Sequence, residues 1–269
     1  MQGALRELRR IVGASACIVD PGPDDPRLVD ERANYHGRAA AIVTPGTTAE
    51  VAAVVTVCAD AGLAIVPQGG NTGYCGGATP DAHGHSVVLC LARLNRIRAL
   101  DTAAATLTAE AGVVLADAQA AAADRKLLLP LGMGSQGSCQ LGGNLSTNAG
   151  GLSVLRYGTA RDLVAGLEVV LPDGKVLSDL RGLRKDNTGY DLKQLFLGAE
   201  GTLGIITAAV LRLQPQPRST LTAWLAIEHV DQALRLLGAL RGGVGDCVTS
   251  CEYVAGAAFA LLLSRFPDF

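Results

Sequence analysis

Two long glycine-rich tracts, Pro67 to Gly77 and Pro130 to Gly151, constrain this chain more than any other feature of it. Loops longer than about 12–15 residues without regular structure are uncommon in compact domains and usually serve a function. Glycine lets the backbone come close to a ligand, so successive N–H groups can converge on one point and form a nest for an anion. The first tract directly follows the apolar run Leu63 to Val66, which reads as a buried strand, and a loop rooted there is held rigid by its sheet. Gly69, Gly70, Asn71, Thr72 and Gly73, with Gly76 and Gly77 behind them, suit a pyrophosphate that needs no lysine, and Asn71 and Thr72 add side-chain donors. One such loop is equally compatible with a solvent-exposed turn. The second tract shifts that balance by setting Ser138, Thr147 and Asn148 between glycines, short polar side chains matched to phosphate oxygens and ribose hydroxyls. Two nests in one domain point to one extended ligand.

The charge balance argues against nucleic acid and anionic membranes as partners. With 23 basic and 25 acidic side chains and only 4% aromatics, the chain has neither the electrostatic footprint nor the stacking surface for nucleic acid. The longest apolar run, Val254 to Leu263, is about half of what a membrane-spanning helix needs. The start, with Arg6, Arg9 and Arg10 but also Glu7, reads as an ordinary first helix instead of a targeting segment. The seven cysteines are odd in number and scattered, which suits reduced, mostly buried thiols, with Cys247 and Cys251 expected in the core. A cytoplasmic, bacterial location is the expectation.

Hydrophobic periodicity orders the elements. Ala41 to Val43 predicts a strand. Thr47 with Glu50 three residues on predicts a capped helix whose Val51, Val54, Val55 and Cys58 share a face. Strands follow at Val87–Leu91, Ile97–Asp101 and Thr106–Ala109, a helix at Val113–Arg125, and a hairpin from Leu163 to Leu180 around Pro172-Asp173-Gly174. A helix over Tyr190–Leu197 and a strand over Ile205–Leu213 complete this part, and Gln214-Pro215-Gln216-Pro217 marks a boundary. Beyond it the pattern predicts strand Leu221–Ile227, helix Asp231–Leu240, strand Val248–Tyr253 and helix Ala255–Arg265, too few elements to stand alone. The fold class is α+β, with a helical lead-in over 1–38, a main domain over 39–217, and the incomplete start of another α/β domain over 218–269.

Several patterns are decoys. Gly132 to Gly137 matches GxGxxG, yet more glycine loop than helix follows it and no acidic residue ends a later strand, so a Rossmann site is rejected. Asn144-Leu145-Ser146 is a sequon by spelling alone. His83-Gly84-His85 lacks companion ligands, and no metal site is expected. There is no GxSxG for hydrolase chemistry. The segments Arg184–Leu192 and Gly198–Thr207 are different, because backbone entering a strand at Gly204-Ile205-Ile206 can set main-chain groups against a flat heterocycle.

Taken together, PQGGNTG, GSCQLGGNLSTNAGG, LRYG, LEVVLPDGKVL and RKDNTGYDLKQLFLGAEGTLGIIT resemble the D-2-hydroxy-acid dehydrogenases of the FAD-binding type 4 family. The resemblance implies a PCMH-type FAD-binding domain of two α/β subdomains, of the vanillyl-alcohol-oxidase superfamily, followed by a substrate or cap domain. It implies that Gly69, Gly70, Asn71, Thr72, Gly73, Ser138, Gly142 and Gly143 hold the pyrophosphate of FAD. Thr147, Asn148, Gly150 and Gly151 would lie along the ribityl and flavin part, and Gly201, Gly204, Ile205 and Ile206 would meet flavin or adenine through their backbone. Pro67, Gln68, Gly77, Pro130, Leu131 and Gly137 complete the cofactor set. Because the first loop contains no histidine, FAD is expected to bind non-covalently.

The reaction implied is oxidation of a small-molecule 2-hydroxy acid, of the hydroxyglutarate or lactate type, to the 2-oxo acid, with electrons passed on to a carrier protein or quinone and a homodimer as the possible full-length assembly. The HxGDGNxH string that carries the family's metal and substrate groups does not occur in these residues. The chain is therefore expected to be a fragment that binds FAD, with no catalytic residue assignable and little or no turnover of its own. A catalytically inactive FAD module, a truncated gene product and an oxygen-using oxidase of the same fold are the alternatives.

Overall fold

The computed structural model describes residues 1–267. Helix α1 (Gln2–Val12) leads to strand β1 (Cys17–Val19), and then β2 (Ala41–Val43), α2 (Thr48–Asp60), β3 (Ala64–Gln68) and β4 (Ser86–Cys90) follow. Thr47 caps α2 as its sequence requires, its hydroxyl accepting from the Glu50 amide at 3.1 Å while Glu50 accepts from the Gly46 amide at 2.7 Å. Val51, Val54, Val55 and Cys58 are all buried, and burial pushes the Cys58 thiol up to about 11.

These strands form one sheet in the order β1-β2-β4-β3, in which β2, β4 and β3 run parallel and β1 joins β2 antiparallel. Every residue of β4 is buried, because helices cover one face and a small cluster of Leu28, Ala39, Ile42 and Val88 covers the other. The sheet thus begins at β1, and α1 packs its Leu8 and Val12 into the same core as α2. Residues 1–38 are built into the first subdomain rather than merely leading to it.

The second subdomain starts with β5 (Ile97–Asp101) and β6 (Thr106–Glu110), then α3 (Leu115–Ala123), the two-residue β7 (Leu127–Leu128), and the short helices α4 (Leu141–Ser146), α5 (Val154–Tyr157) and α6 (Ala160–Leu163). β8 (Val164–Val170), β9 (Val176–Asp179), α7 (Lys193–Phe196), β10 (Ile205–Arg212) and β11 (Gln214–Pro215) complete it. Its five-stranded sheet, β5-β6-β10-β8-β9, is antiparallel throughout, with β10 central and buried from Ile205 to Leu211. The expected hairpin turns at Gly174, where φ is 79°. Leu141, Leu145, Leu163, Val169 and Ile206 share one core beside this sheet, whereas Ala111, Val170 and Ile205 belong to the first core and join the subdomains.

Two expectations fail. The helix placed over 190–197 shrinks to α7. In the C-terminal segment α8 (Val230–Val244) and α9 (Gly256–Arg265) form, but Leu221–Ile227 and Val248–Tyr253 are not strands. A strand needs an edge to pair with, and none of the described sheets takes either segment. Cys247 and Cys251 are exposed as a result, contrary to a core role. The last two residues of the 218–269 segment lie outside the described residues. No helix among those described is long and apolar enough to cross a membrane.

Candidate cofactor site

β3 delivers Pro67 and Gln68 to the mouth of the first loop, where the Leu91 amide donates to the Gln68 carbonyl at 2.9 Å. Among the described residues the backbone amides of Gly69, Gly70, Asn71, Thr72 and Gly73 donate to no protein group. The side chains just before this run and at its middle are committed instead. Gln68, 2% exposed, donates Nε2 to the carbonyls of Arg27 and Ala78. Asn71, left-handed at φ 52°, donates Nδ2 to the Val29 carbonyl at 2.7 Å and the Pro26 carbonyl at 3.3 Å. The loop therefore offers main-chain donors, while the Asn71 donor that the sequence suggested for a ligand braces the loop.

The second tract lies directly against the first. A β-carbon on Gly70 would fall 2.2 Å from the Ser138 carbonyl oxygen, and one on Gly69 would lie 3.6 Å from the Gly143 amide nitrogen. Within the tract the structure makes a distinction invisible in the spelling: Gly142 donates its amide to the Ala111 carbonyl at 2.7 Å, whereas the neighbouring Gly143 amide has no protein acceptor among the described residues. Both sit in the first turn of α4, where helix amides lack intrahelical partners. That helix stands where the sequence reading placed glycine loop. Ser138 donates back to Ser135, Thr147 donates to the Gly143 carbonyl, and Asn148 accepts the Arg161 amide at 2.9 Å.

Gly151 is pressed on the Gly132 carbonyl, and Gly150 on Val154 and Thr159. Gly137 faces open space. Pro130 and Leu131 are buried, with the Leu131 carbonyl taken by Gln119, so they support the loop from below.

The third turn touches both tracts. Gly198 and Glu200 donate their amides to Leu145 and Ser146 at the end of α4, Gly201 (φ 81°) packs on the Pro67 ring, and a β-carbon on Gly77 would lie 3.1 Å from a Glu200 carboxylate oxygen. Gly204 is crowded by Val169 and the Val170 carbonyl, where Ile205 and Ile206 enter β10 with their side chains buried. Beside this junction an open apolar cleft of about 230 Å³ is lined by Val55, Ile65, Pro67, Gly201 and Ile205, among others. The three segments the sequence singled out thus meet at one place between the two sheets.

Beneath them runs an ionic bracket that sequence reasoning missed. Glu110, fully buried at the end of β6, accepts from Arg96 at 2.8 Å and Arg98 at 3.2 Å. Arg98 also reaches Glu168 on β8 at 3.0 Å, and Glu168 accepts from Thr48 of α2 at 2.7 Å and Thr207 of β10 at 2.9 Å. Burial pushes the Glu110 carboxyl up, but the Arg96 and Arg98 hydrogen bonds outweigh it and hold the group below its ordinary value. Glu168 is lowered in the same way, chiefly by Arg98. The available signal was Glu168 inside the otherwise apolar strand VAGLEVV, a position that is costly for a carboxylate unless paired.

A dinucleotide such as FAD fits this arrangement. The amides at 69–73 and 143 are uncommitted among the described residues, and Gly73, Gly137 and Gly143 have no neighbour that a β-carbon would meet. Gln140 Oε1, packed against Gly69, is a buried acceptor without a partner. Such main-chain donors suit the negative charge of a pyrophosphate, and the apolar cleft suits a ring.

Residues 39–179 match the family described as FAD binding domain. The chain is 41% identical over 258 residues to a mitochondrial D-2-hydroxyglutarate dehydrogenase of Bos taurus, covering 96% of this chain and 47% of that protein. It is 41% identical over 245 residues to the corresponding protein of Danio rerio, covering 91% and 46%. The chain spans about half the length of the curated relatives it matches. Among solved structures an alkyldihydroxyacetonephosphate synthase shares the fold with a TM-score of 0.71 at 23% identity, covering 81% of this chain and 41% of that one. The expectation of a cytoplasmic location does not stand, because these relatives are named as mitochondrial. It rested on the first helix lacking the look of a targeting segment, and α1 is a packed structural helix that carries no information about address.

Proposed function

This chain belongs to the family of FAD binding domains, and from that premise we propose that it is the cofactor-holding part of a D-2-hydroxy-acid dehydrogenase, with D-2-hydroxyglutarate as the leading substrate. The observation that carries the reading is the convergence of three glycine turns, in two of which the amides at 69–73 and 143 have no protein acceptor among the described residues. The names of the relatives supply the reaction class. When bound, FAD supplies the two-electron acceptor for oxidation of the hydroxy acid to the 2-oxo acid. This chain's residues bind and orient: the first loop and Gly143 take the pyrophosphate, and Pro67, Gly201 and Ile205 border the cleft for a ring. Thr147, Asn148, Gly150 and Gly151 line the path between them.

The groups that take the substrate's hydroxyl proton and hold its carboxylate belong, in this reading, to the other half of the protein, and a carrier protein or quinone takes the electrons onward. Residues 218–269 then begin the substrate domain. Supporting this, α8 and α9 bury no residue, and Leu221 and Trp224 are 93% and 75% exposed.

The test is titration of the purified chain with FAD. Quenching of flavin fluorescence and a yellow protein after gel filtration are expected. Addition of D-2-hydroxyglutarate to this complex should leave the flavin absorbance unchanged. A well-folded chain that takes up no FAD would overturn the reading, and substrate-dependent bleaching would overturn the division of labour between the two halves.

A further inference from the structure

The segment Asp25 to Gly37 lies upstream of the family match, yet it holds the first glycine loop at both ends and along its length. Asp25 caps a single helical turn at Pro26–Leu28 and is paired with Arg27. The chain then closes a small hairpin on itself, with Val29 bridged to His36 and the Gly37 amide donating to the Leu28 carbonyl at 2.8 Å. Asp30, only 5% exposed, ties the turn by accepting the amides of Tyr35 at 2.6 Å and Arg32 at 3.3 Å.

Five contacts run from this hairpin to four residues of the loop. The Arg27 carbonyl takes Gln68, and the Val29 and Pro26 carbonyls take Asn71. The Arg32 guanidinium stacks 3.9 Å from the Tyr74 ring centre. The Tyr35 ring covers Gly76, at φ 71°, so closely that a β-carbon there would fall 2.7 Å from it. Every hydrogen bond anchoring loop to hairpin is donated by a side-chain amide, and none by the backbone amides of 69–73. The loop is fixed without spending its main-chain donors at 69–73.

We propose that residues 25–37 form a clasp that pre-organises the pyrophosphate loop, with Gln68 and Asn71 as positioning residues whose side chains do not touch the cofactor and Asp30 as the group that keeps the clasp closed. The proposal rests on the FAD reading for its ligand but not for its mechanics. Anchoring the loop before binding removes the ordering cost that binding would otherwise bear, so loss of the clasp appears as lost affinity.

Asn71→Gly deletes the anchoring amide and retains a residue at ease at positive φ, so the fold is preserved. Asp30→Ala opens the clasp from outside the loop. In the full chain each variant should weaken FAD binding by about tenfold, as expected for one or two lost hydrogen bonds. Each should also hasten chymotrypsin cleavage after Tyr74 relative to cleavage after the fully exposed Tyr190. The second readout needs no cofactor, so an absence of FAD binding by the parent chain would strike only the functional reading. Unchanged FAD affinity in Asn71→Gly, or a Tyr74 to Tyr190 cleavage ratio equal to that of the parent, would overturn the clasp.

Discussion

A methyl group on Gly70 would fall 2.2 Å from the Ser138 carbonyl oxygen, whereas one on Gly73, in the same loop, would meet nothing within 4 Å. The two glycines therefore differ in kind, one letting two backbones touch and the other bordering open space. Gly70→Ala should destabilise the cofactor-free chain by about 1–3 kcal/mol, the usual cost of forcing atoms into a packed site, and lower its Tm. Gly73→Ala should leave the Tm of the cofactor-free chain unchanged while weakening FAD by about tenfold, the scale of one charge-assisted hydrogen bond pushed out of reach. Calorimetry and flavin fluorescence on the same preparations separate the two. Equal behaviour of the two variants would show that the open space at Gly73 is not where the cofactor lies.

Among the elements, β5, β6, β8, β10 and α2 are joined by charge and side-chain hydrogen bonds as well as by packing. Glu110 and Glu168 hold Arg98 between them, and Thr48 and Thr207 complete the bracket. Both carboxyls lie below their ordinary value in the folded chain, so the unfolded chain takes up protons first as the pH falls. Their contribution is complete above the ordinary value of 4.5 and is lost as the pH drops through the lower folded values. Urea unfolding should show a stability plateau at neutral pH that falls away in this acidic window. Glu110→Gln should cost about 1–3 kcal/mol at pH 7, a moderate figure because Arg96 and Arg98 can still reach water. It should also make the acid decline shallower, and an unchanged pH profile would remove the bracket from the stability of the domain.

Across the whole molecule, the two larger sheets share a core through Ala111, Val170 and Ile205, and the three glycine turns of the candidate cofactor site meet between them. The C-terminal segment stands apart from both. Since α8 and α9 bury no residue, ending the chain after Arg218 should leave the Tm and FAD affinity unchanged. The shortened chain should also self-associate less in analytical ultracentrifugation, because exposed Leu221, Trp224, Leu225 and Phe266 are removed with it. A fall in Tm on shortening would show that the segment packs on the domain.

Local chemistry was enough to read α2 from Thr47, Glu50 and its valine face, the hairpin from Pro172-Asp173-Gly174, and the ligand class from glycines set behind strands. Those signals lie within a few residues of the structure they cause. The tertiary structure alone decided which glycine amides stay free, since Gly142 is taken by Ala111 and Gly143 is not. It also decided that Asn71 braces its loop, that residues 25–37 hold the first glycine loop, and that two strand-like segments near the C-terminus remain unpaired. The reason is common to all four. Whether a donor, an acid or a strand edge is satisfied depends on what a distant part of the chain brings to it, and the pattern of neighbouring residues holds no record of that partner.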